Sequence, residues 1–139
     1  MKILITAGGT TESIDTVRGI TNFATGSLGK LTAEEFLANG HQVILLAGRS
    51  AQLPKHDKNL TIIPISDTQN LLDTMEERLP QADVVVHSMA VSDYRPVYMT
   101  GLENLPDPLT QEQLINFRPE IQKKISSQSE HQIMLLEKT

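Results

Sequence analysis

Residues 5–30 read ITAGGTTESIDTVRGITNFATGSLGK, and this stretch decides the fold. It begins as an apolar strand, breaks at Gly8-Gly9, and runs through a polar loop to Gly26-Ser27-Leu28-Gly29, where a helical pattern begins. A helix start of this kind binds anions, because backbone N–H groups converge there and glycine lets a phosphate approach. Gly8-Gly9 alone fits an ordinary strand-to-helix turn equally well. Two glycine clusters flanking a loop rich in Thr, Ser and Asn favour a ligand site.

The composition indicates one globular domain without membrane or extracellular features. A chain of 139 residues is long enough for one core and too short for two. It has no cysteine, which excludes disulfides and favours a reducing compartment. The apolar runs fall short of the roughly 18 residues of a membrane-spanning helix. A net charge of -5 and few aromatic residues disfavour nucleic acid. We therefore expect a cytoplasmic protein that binds neither nucleic acid nor membrane.

Four short segments rich in Ile, Leu and Val have the continuous apolar character of buried parallel strands. They are residues 2–7, 42–47, 60–65 and 83–88. Helical patterns at 28–39 and 66–79 separate the first strand from the second and the third from the fourth. The resulting order predicts an α/β fold, a Rossmann-like doubly wound, mainly parallel sheet with helices on both faces.

The two predicted helices have recognisable stripes and ends. The first carries an apolar stripe of Leu28, Leu31, Phe36 and Leu37. The second opens with Ser66-x-x-Gln69, the spacing of a capping box. Beyond the fourth strand, prolines and weak periodicity predict a flexible flap at about 97–123, with a short helix at 110–116. The segment 124–136 predicts a further strand or a hairpin. We expect residues 1–139 to form a single domain.

Familiar nucleotide motifs fit the glycine-rich turn poorly. The loop between Gly9 and Gly26 is far too long for G-x-G-x-x-G, and no acidic residue for an NAD ribose follows the second strand. Arg49 at that position leaves NADP as an option. Gly29-Lys30 is not a P-loop, since Leu31 replaces the required Ser or Thr. The four histidines show no metal-ligand spacing, and His87 on the fourth strand is expected in the core.

Two polar segments are better site candidates. Arg18 offers a forked pair of donors for phosphate, and Asn22 offers both a donor and an acceptor. The residue types fit equally well with Arg18 as a solvated surface charge and Asn22 as a turn former. Asp93 follows the fourth strand, at the ligand edge of the predicted sheet. It can hold a sugar hydroxyl or a metal-bound water, or it can cap a turn and pair with Arg95.

The motifs AGGT (7–10), VR (17–18), TNFATGSLG (21–29) and AVSDYR (90–95) together resemble phosphopantothenate–cysteine ligase of coenzyme A biosynthesis, in its stand-alone bacterial form. The similarity covers most of residues 1–95 and resumes at KISS (124–127). It implies a Rossmann-like homodimer and a two-step reaction. CTP with Mg²⁺ activates the phosphopantothenate carboxylate as an acyl-CMP and releases pyrophosphate. The amine of cysteine then attacks to form phosphopantothenoylcysteine.

The resemblance also implies site residues. Those at the nucleotide would be Gly8, Ala24, Gly26, Gly29, Asp93 and Lys124. Those at phosphopantothenate would be Arg18, Asn22, Met89, Ala90 and Asp93. Arg18 would reach the phosphate bound in the neighbouring subunit, and Asn22 and Lys124 would be catalytic. The resemblance assigns no metal ligand.

This sequence departs from the family pattern in three ways. Ala24 stands where Ser is common, and Met89 stands where Ala is usual. Members of the family also continue beyond residue 139, so an N-terminal part with an incomplete nucleotide pocket is expected. Two alternatives remain open: a non-catalytic module that binds a nucleotide or phospho-ligand, and an NADP-binding oxidoreductase domain favoured by the glycine-rich turn and Arg49.

Overall fold

The computed structural model describes residues 1–119 and 125–139. The elements in chain order are β1 (Lys2–Ala7), β2 (Thr11–Ser13), β3 (Gly19–Thr21), α1 (Ser27–Ala38), β4 (Gln42–Gly48), β5 (Leu60–Ile65), α2 (Thr68–Arg78), β6 (Val84–His87), β7 (Tyr94–Gly101), α3 (Gln111–Asn116) and β8 (Gln132–Lys138), with 3₁₀ turns at Leu79–Gln81 and Leu102–Asn104. They form two compact units. The first comprises Met1–Thr11 and Thr21–Ser92, and the second comprises Glu12–Ile20 and Asp93–Thr139.

The first unit contains a parallel sheet of four strands in the order β5-β4-β1-β6. Ile3 of β1 lies opposite Val43 of β4 on one side and Val84 of β6 on the other. The four strands match the predicted segments to within one residue at each end. The predicted fold class is therefore confirmed.

Two apolar clusters cover the two faces of this sheet. On one face, Ile3 and Ile5 pack with Leu37 of α1. On the other face, Leu4 and its neighbours pack with Leu71 of α2. Alternate residues of a strand point to opposite faces, so a continuously apolar β1 supplies both clusters. Helices lie on both faces, as predicted.

The predicted stripe of α1 is wrong in part. Leu28 and Leu31 are 67% and 62% exposed, whereas the buried positions are Gly29, Ala33 and Leu37, spaced four residues apart. The reason is the short distance between α1 and β1. A Cβ atom built on Gly29 would lie 2.5 Å from the Cβ of Ala7. Small residues therefore form the contact, and the bulky leucines lie on the outer side of the helix.

The start of α2 differs from the prediction by one residue. The N-cap is Asp67, whose carboxylate accepts a hydrogen bond from the N–H of Asn70 at 2.8 Å. Ser66 instead donates its backbone N–H to Oδ1 of Asn70 at 3.0 Å. A carboxylate at the N-cap also interacts favourably with the helix dipole. In the described residues, no helix is both long and apolar enough to cross a membrane.

The second unit is built on an antiparallel pair, β7 with β8, in which Met99 lies opposite Met134. Residues 97–101 are therefore a strand, where we expected an irregular flap. The register shifts between Pro96 and Tyr98, because proline cannot donate to a strand ladder. The expected helix at 110–116 is present as α3, with a capping box at Thr110. The remainder of the expected flap, 120–123, lies outside the described residues, and the mobility of the flap stays a prediction.

The contact at Gly29 generates a stability prediction. Helix propensity alone predicts that Gly29→Ala stabilises the protein by about 1 kcal/mol. The added methyl would overlap Ala7, and overpacking of this kind costs about 1–3 kcal/mol. We expect a net loss of about 1 kcal/mol in the free energy of unfolding, measured by urea titration. Thr32→Ala, on the same helix, adds no atoms and serves as the control. A gain in stability for Gly29→Ala would show that the helix does not approach β1 this closely.

Candidate functional site

The strand order places a ligand crevice at β1. From β1 the chain runs outward to β4 and β5 and then crosses to the other side of β1 to form β6. Doubly wound sheets bind ligands beyond the carboxyl ends of the strands at such a reversal. Here those ends lead into Gly8-Gly9 after β1 and into Ser88-Met89-Ala90 after β6. The predicted site segments at Gly8-Gly9 and at Met89-Ala90 thus meet at the reversal point of the first unit.

Gly8 and Gly26 bring the end of β1 next to the start of α1. Both have left-handed backbones, with φ of +84° and +70°. A Cβ on Gly26 would lie 3.0 Å from the backbone nitrogen of Gly8, and a Cβ on either glycine would press against Ala51. Only glycine combines this backbone with this spacing. The end of β1 and the start of α1 are therefore in close backbone contact, and Ala51 packs beside both glycines.

The start of α1 has the properties of an anion site. Gly26 is the N-cap and provides no side-chain hydrogen bond to the first turn. The nearest substitute, a contact from Ser27 N–H to Oγ1 of Thr25, is long at 3.4 Å. Uncapped N–H groups at the positive end of a helix are suited to phosphate. The nucleotide role that the resemblance gives to Gly8, Gly26 and Gly29 stays a prediction, and Gly8 and Gly29 are buried whereas Gly26 is half-buried.

Ala90 connects the two site loops through its backbone. Its N–H donates to the carbonyl of Gly8 at 2.8 Å, and its carbonyl accepts from the N–H of Thr10 at 3.1 Å. The same carbonyl accepts from Nδ2 of Asn22 at 3.3 Å. The carboxamide of Asn22 is thus held at the crevice, with Oδ1 and one amide hydrogen remaining for other partners. Asn22 also forms a turn, since its carbonyl accepts from Ala24 N–H at 2.9 Å.

Buried threonines support these loops, and the sequence reading missed them. The hydroxyl of Thr6 accepts from the N–H groups of Ser88 and Met89, both at 3.1 Å. Thr10 bonds to Ser92 in the same way, with its hydroxyl accepting from Ser92 N–H at 2.9 Å. Both threonines are completely buried. For Thr6, the available signal in the sequence was a threonine inside the apolar run KILITA (residues 2–7).

Two residues in or near the site have surroundings that differ from the expected ones. The side chain of Met89 is buried in the core with Leu71, where the resemblance implied a contact with phosphopantothenate. His87 is exposed, because β6 lies at the edge of the described sheet, although its Nδ1 bonds to the hydroxyl of Thr6 at 2.7 Å. Arg49 is exposed in the loop after β4.

Arg18 and Asp93 belong to the second unit. Arg18 is neither a free surface charge nor unpaired: its Nη2 lies 2.7 Å from Oδ2 of Asp15. Asp93 is exposed at the start of β7, and its carbonyl accepts from Thr139 N–H at 3.0 Å. Arg95 pairs with Glu137 and not with Asp93. Lys124 lies outside the described residues.

A family comparison identifies the fold. Residues 1–135 match the model of the DNA/pantothenate metabolism flavoprotein C-terminal domain family. The chain belongs to this family. The resemblance inferred from the paired loop motifs is confirmed at this level.

Individual relatives agree with the family match. The coenzyme A biosynthesis bifunctional protein CoaBC of Mycobacterium tuberculosis is 40% identical over 95 residues, which are 68% of this chain and 22% of that protein. The crystal structure of the DNA/pantothenate metabolism flavoprotein from Streptococcus pneumoniae is 47% identical, with a TM-score of 0.90 over 100% of this chain and 60% of that one. The C-terminal domain of a CoaBC protein is 40% identical, with a TM-score of 0.62 over 70% of this chain and 48% of that one. This chain therefore spans about a fifth of the length of the curated relatives that it matches.

The acid side of the stability profile depends on Asp15. Hydrogen bonds from the Arg18 side chain, and secondly from the Val17 N–H, hold the pKa of this carboxyl well below its usual range. A carboxyl whose pKa is lowered on folding stabilises the fold above its unfolded pKa of about 3.9, and the contribution is lost as the pH falls further. We expect Asp15→Asn to lower the thermal midpoint at pH 7 and to reduce its fall between about pH 5 and 2. An unchanged acid slope would contradict this assignment.

Proposed function

We propose that this chain carries the substrate-anchoring part of a phosphopantothenate–cysteine ligase of coenzyme A biosynthesis. The observation that carries the proposal is the uncapped start of α1 beside Gly8, with Asn22 and Ala90 at the same strand reversal. Membership of the family supports it. So does the similarity to CoaBC proteins, whose name assigns them to coenzyme A biosynthesis.

The proposed reaction has two balanced steps. A carboxylate oxygen of phosphopantothenate attacks the α-phosphorus of CTP, and the bond to pyrophosphate breaks to leave an acyl-CMP. The amine of cysteine then attacks the acyl carbon, CMP leaves with the bonding electron pair, and the amine loses a proton. Negative charge develops on phosphate oxygens in the first step and on the acyl oxygen in the second. Directed N–H donors are the groups that stabilise such charge.

The first unit provides donors of this kind. The first-turn N–H groups of α1 would hold the phosphates, and Gly26, which has no side chain, would let them approach the helix start. Asn22 is fixed by its bond to the Ala90 carbonyl, so its remaining amide hydrogen would meet the acyl oxygen. Because these donors are already oriented, they need no rearrangement during the reaction.

Mg²⁺ belongs to the same proposal. In the described part of the chain, no group of three His, Cys, Asp or Glu residues is placed to hold a metal. Mg²⁺ in nucleotide sites is typically bound by substrate phosphates, waters and one or two carboxylates, so a cluster of three protein ligands is not required. Bound there, it would neutralise phosphate charge. Asp93 is the exposed carboxylate that the resemblance places near the nucleotide.

The homodimer also belongs to the proposal. Arg18 would bind the phosphate of phosphopantothenate held by the neighbouring subunit. Its side chain is 37% exposed, which leaves part of the guanidinium accessible. Phe23, Leu28 and Leu31 are exposed apolar side chains on the first unit, and apolar surface of this kind is typical of subunit contacts.

A pyrophosphate-release assay tests the reaction. We expect release from CTP to require phosphopantothenate, with cysteine first omitted and then added to allow repeated turnover. ATP in place of CTP tests the nucleotide preference. Release without phosphopantothenate would contradict the acyl-activation step. Ligand binding by calorimetry without any release would favour the non-catalytic binding module. Binding of NADPH with no affinity for CTP would favour the oxidoreductase domain.

Substitution of Asn22 tests its role. Asn22→Asp would place an acceptor against the Ala90 carbonyl and a negative charge at the acyl oxygen. We expect turnover to fall by about a hundredfold, as for the loss of one oxyanion donor. Asn39→Asp is the matched control, because Asn39 caps the other end of α1 through a bond to the Glu35 carbonyl. Lys124→Gln tests the second expected catalytic residue in the same assay. Equal rates for Asn22→Asp and Asn39→Asp would remove Asn22 from the mechanism.

A further inference from the structure

Asp15 is an almost completely buried carboxylate in the loop between β2 and β3, with a side chain that is 1% exposed. Its Oδ1 accepts from the N–H groups of Val17 at 2.9 Å and Arg18 at 2.7 Å. Its Oδ2 accepts from Nε and Nη2 of Arg18 at 3.0 and 2.7 Å, and from the N–H of Ile125 at 3.1 Å. One carboxylate thus orders its own loop and a segment 110 residues away in the sequence.

The Arg18 guanidinium completes this arrangement. Its Nη2 donates to the carbonyl of Ile125 at 2.9 Å, so Asp15 and Arg18 together bond both polar backbone groups of Ile125. These bonds run from the Nε and Nη2 side of the guanidinium. A planar guanidinium fixed along one edge has a defined direction for the other edge. The Nη1 edge of a side chain that is 37% exposed is therefore pre-oriented.

We propose that Asp15 is a positioning residue for phosphate recognition: it holds the Nε–Nη2 edge of Arg18 so that the Nη1 edge meets the phosphate monoester of phosphopantothenate. This inference rests on the proposed function, from which the phosphate role of Arg18 comes. Asp15 itself does not touch the substrate. It removes the conformational freedom that an arginine side chain otherwise loses on binding.

Charge and positioning make opposite predictions for Asp15. A carboxylate beside Arg18 cancels much of its positive charge and repels a phosphate. If net charge decided the binding, Asp15→Asn would tighten it. If positioning decides it, the same change weakens binding. Either orientation of the new amide turns its N–H₂ toward donors, the three at Oδ2 or the two backbone N–H groups at Oδ1. The sign of the effect distinguishes the two roles.

The test is a double-mutant cycle on the full chain, with binding of phosphopantothenate measured by calorimetry. We expect Asp15→Asn to weaken binding about tenfold and Arg18→Ala to weaken it further, with no additional loss in the double variant. Pantothenate, which lacks the phosphate, should bind all variants equally. Asp57→Asn is the matched control, because Asp57 accepts from the N–H of Asn59 in a similar local turn at 2.7 Å. Unchanged or tighter binding by Asp15→Asn, or additive losses, would overturn the proposal.

Two further measurements keep the inference separate from the proposed function. Arg18→Lys keeps the positive charge and lacks the forked donors of the guanidinium. It should therefore lose as much affinity as Asp15→Asn. If Asp15→Asn does not fold, Arg18→Lys takes its place in the test. The Arg18 Nε–H resonance should exchange slowly in the wild type and rapidly in Asp15→Asn. Equal exchange in both would overturn the positioning role whether or not ligand binds. A wild type with an ordered Nε–H and no affinity for phosphopantothenate would overturn the proposed function and the phosphate role together.

Discussion

The close packing of α1 on β1 at Gly29 determines where the candidate site lies. With no side chain at this position, the helix axis comes near enough for its first turn to lie beside the end of the strand. The uncapped N–H groups of that turn and the end of β1 at Gly8 then lie at the strand reversal, where doubly wound sheets bind ligands. A larger residue at 29 would move the helix away from Ala7. The apolar contact in the core and the proposed phosphate-binding surface thus both depend on the same missing side chain.

The crevice is shaped by hydrogen bonds between backbone and buried hydroxyls. Thr6 and Thr10 are completely buried, and each hydroxyl accepts from N–H groups that follow β6. Removing such a partner would leave a buried N–H unsatisfied, which costs about 1–3 kcal/mol. Ala90 lies between the residues that these hydroxyls hold, and its N–H and carbonyl bond to the loop that follows β1. The position of Asn22 follows from that carbonyl. The orientation of a candidate catalytic amide therefore traces back to two threonines in the core.

The sequence predicted the sheet well because its signal is local. Each strand of the first unit is a short run rich in Ile, Leu and Val, and such a run is recognised from its own residues without knowing which strands lie beside it. Leu28 and Leu31 of α1 were wrongly predicted to be buried. Which side of α1 faces the sheet depends on how closely the helix approaches β1 at Gly29, and the helix sequence alone does not contain that distance. The pairing of β7 with β8 was missed because about 30 residues separate the strands and Pro96 interrupts one of them. Asp15 was overlooked for the same reason, since its bond to Ile125 joins distant parts of the chain.

The acidic character of the chain limits how it can bind a polyanion. With a net charge of -5 and Arg18 already paired to Asp15, overall electrostatic attraction would contribute little to the proposed binding of phosphates. Affinity must then come from donors whose direction is fixed before the ligand arrives, since orientation substitutes for charge. The first turn of α1 provides backbone donors of this type, and the guanidinium held along one edge provides a side-chain donor. Both are directional and short in range. In the proposed function, each of them would favour a phosphate held at a defined position over anions in general.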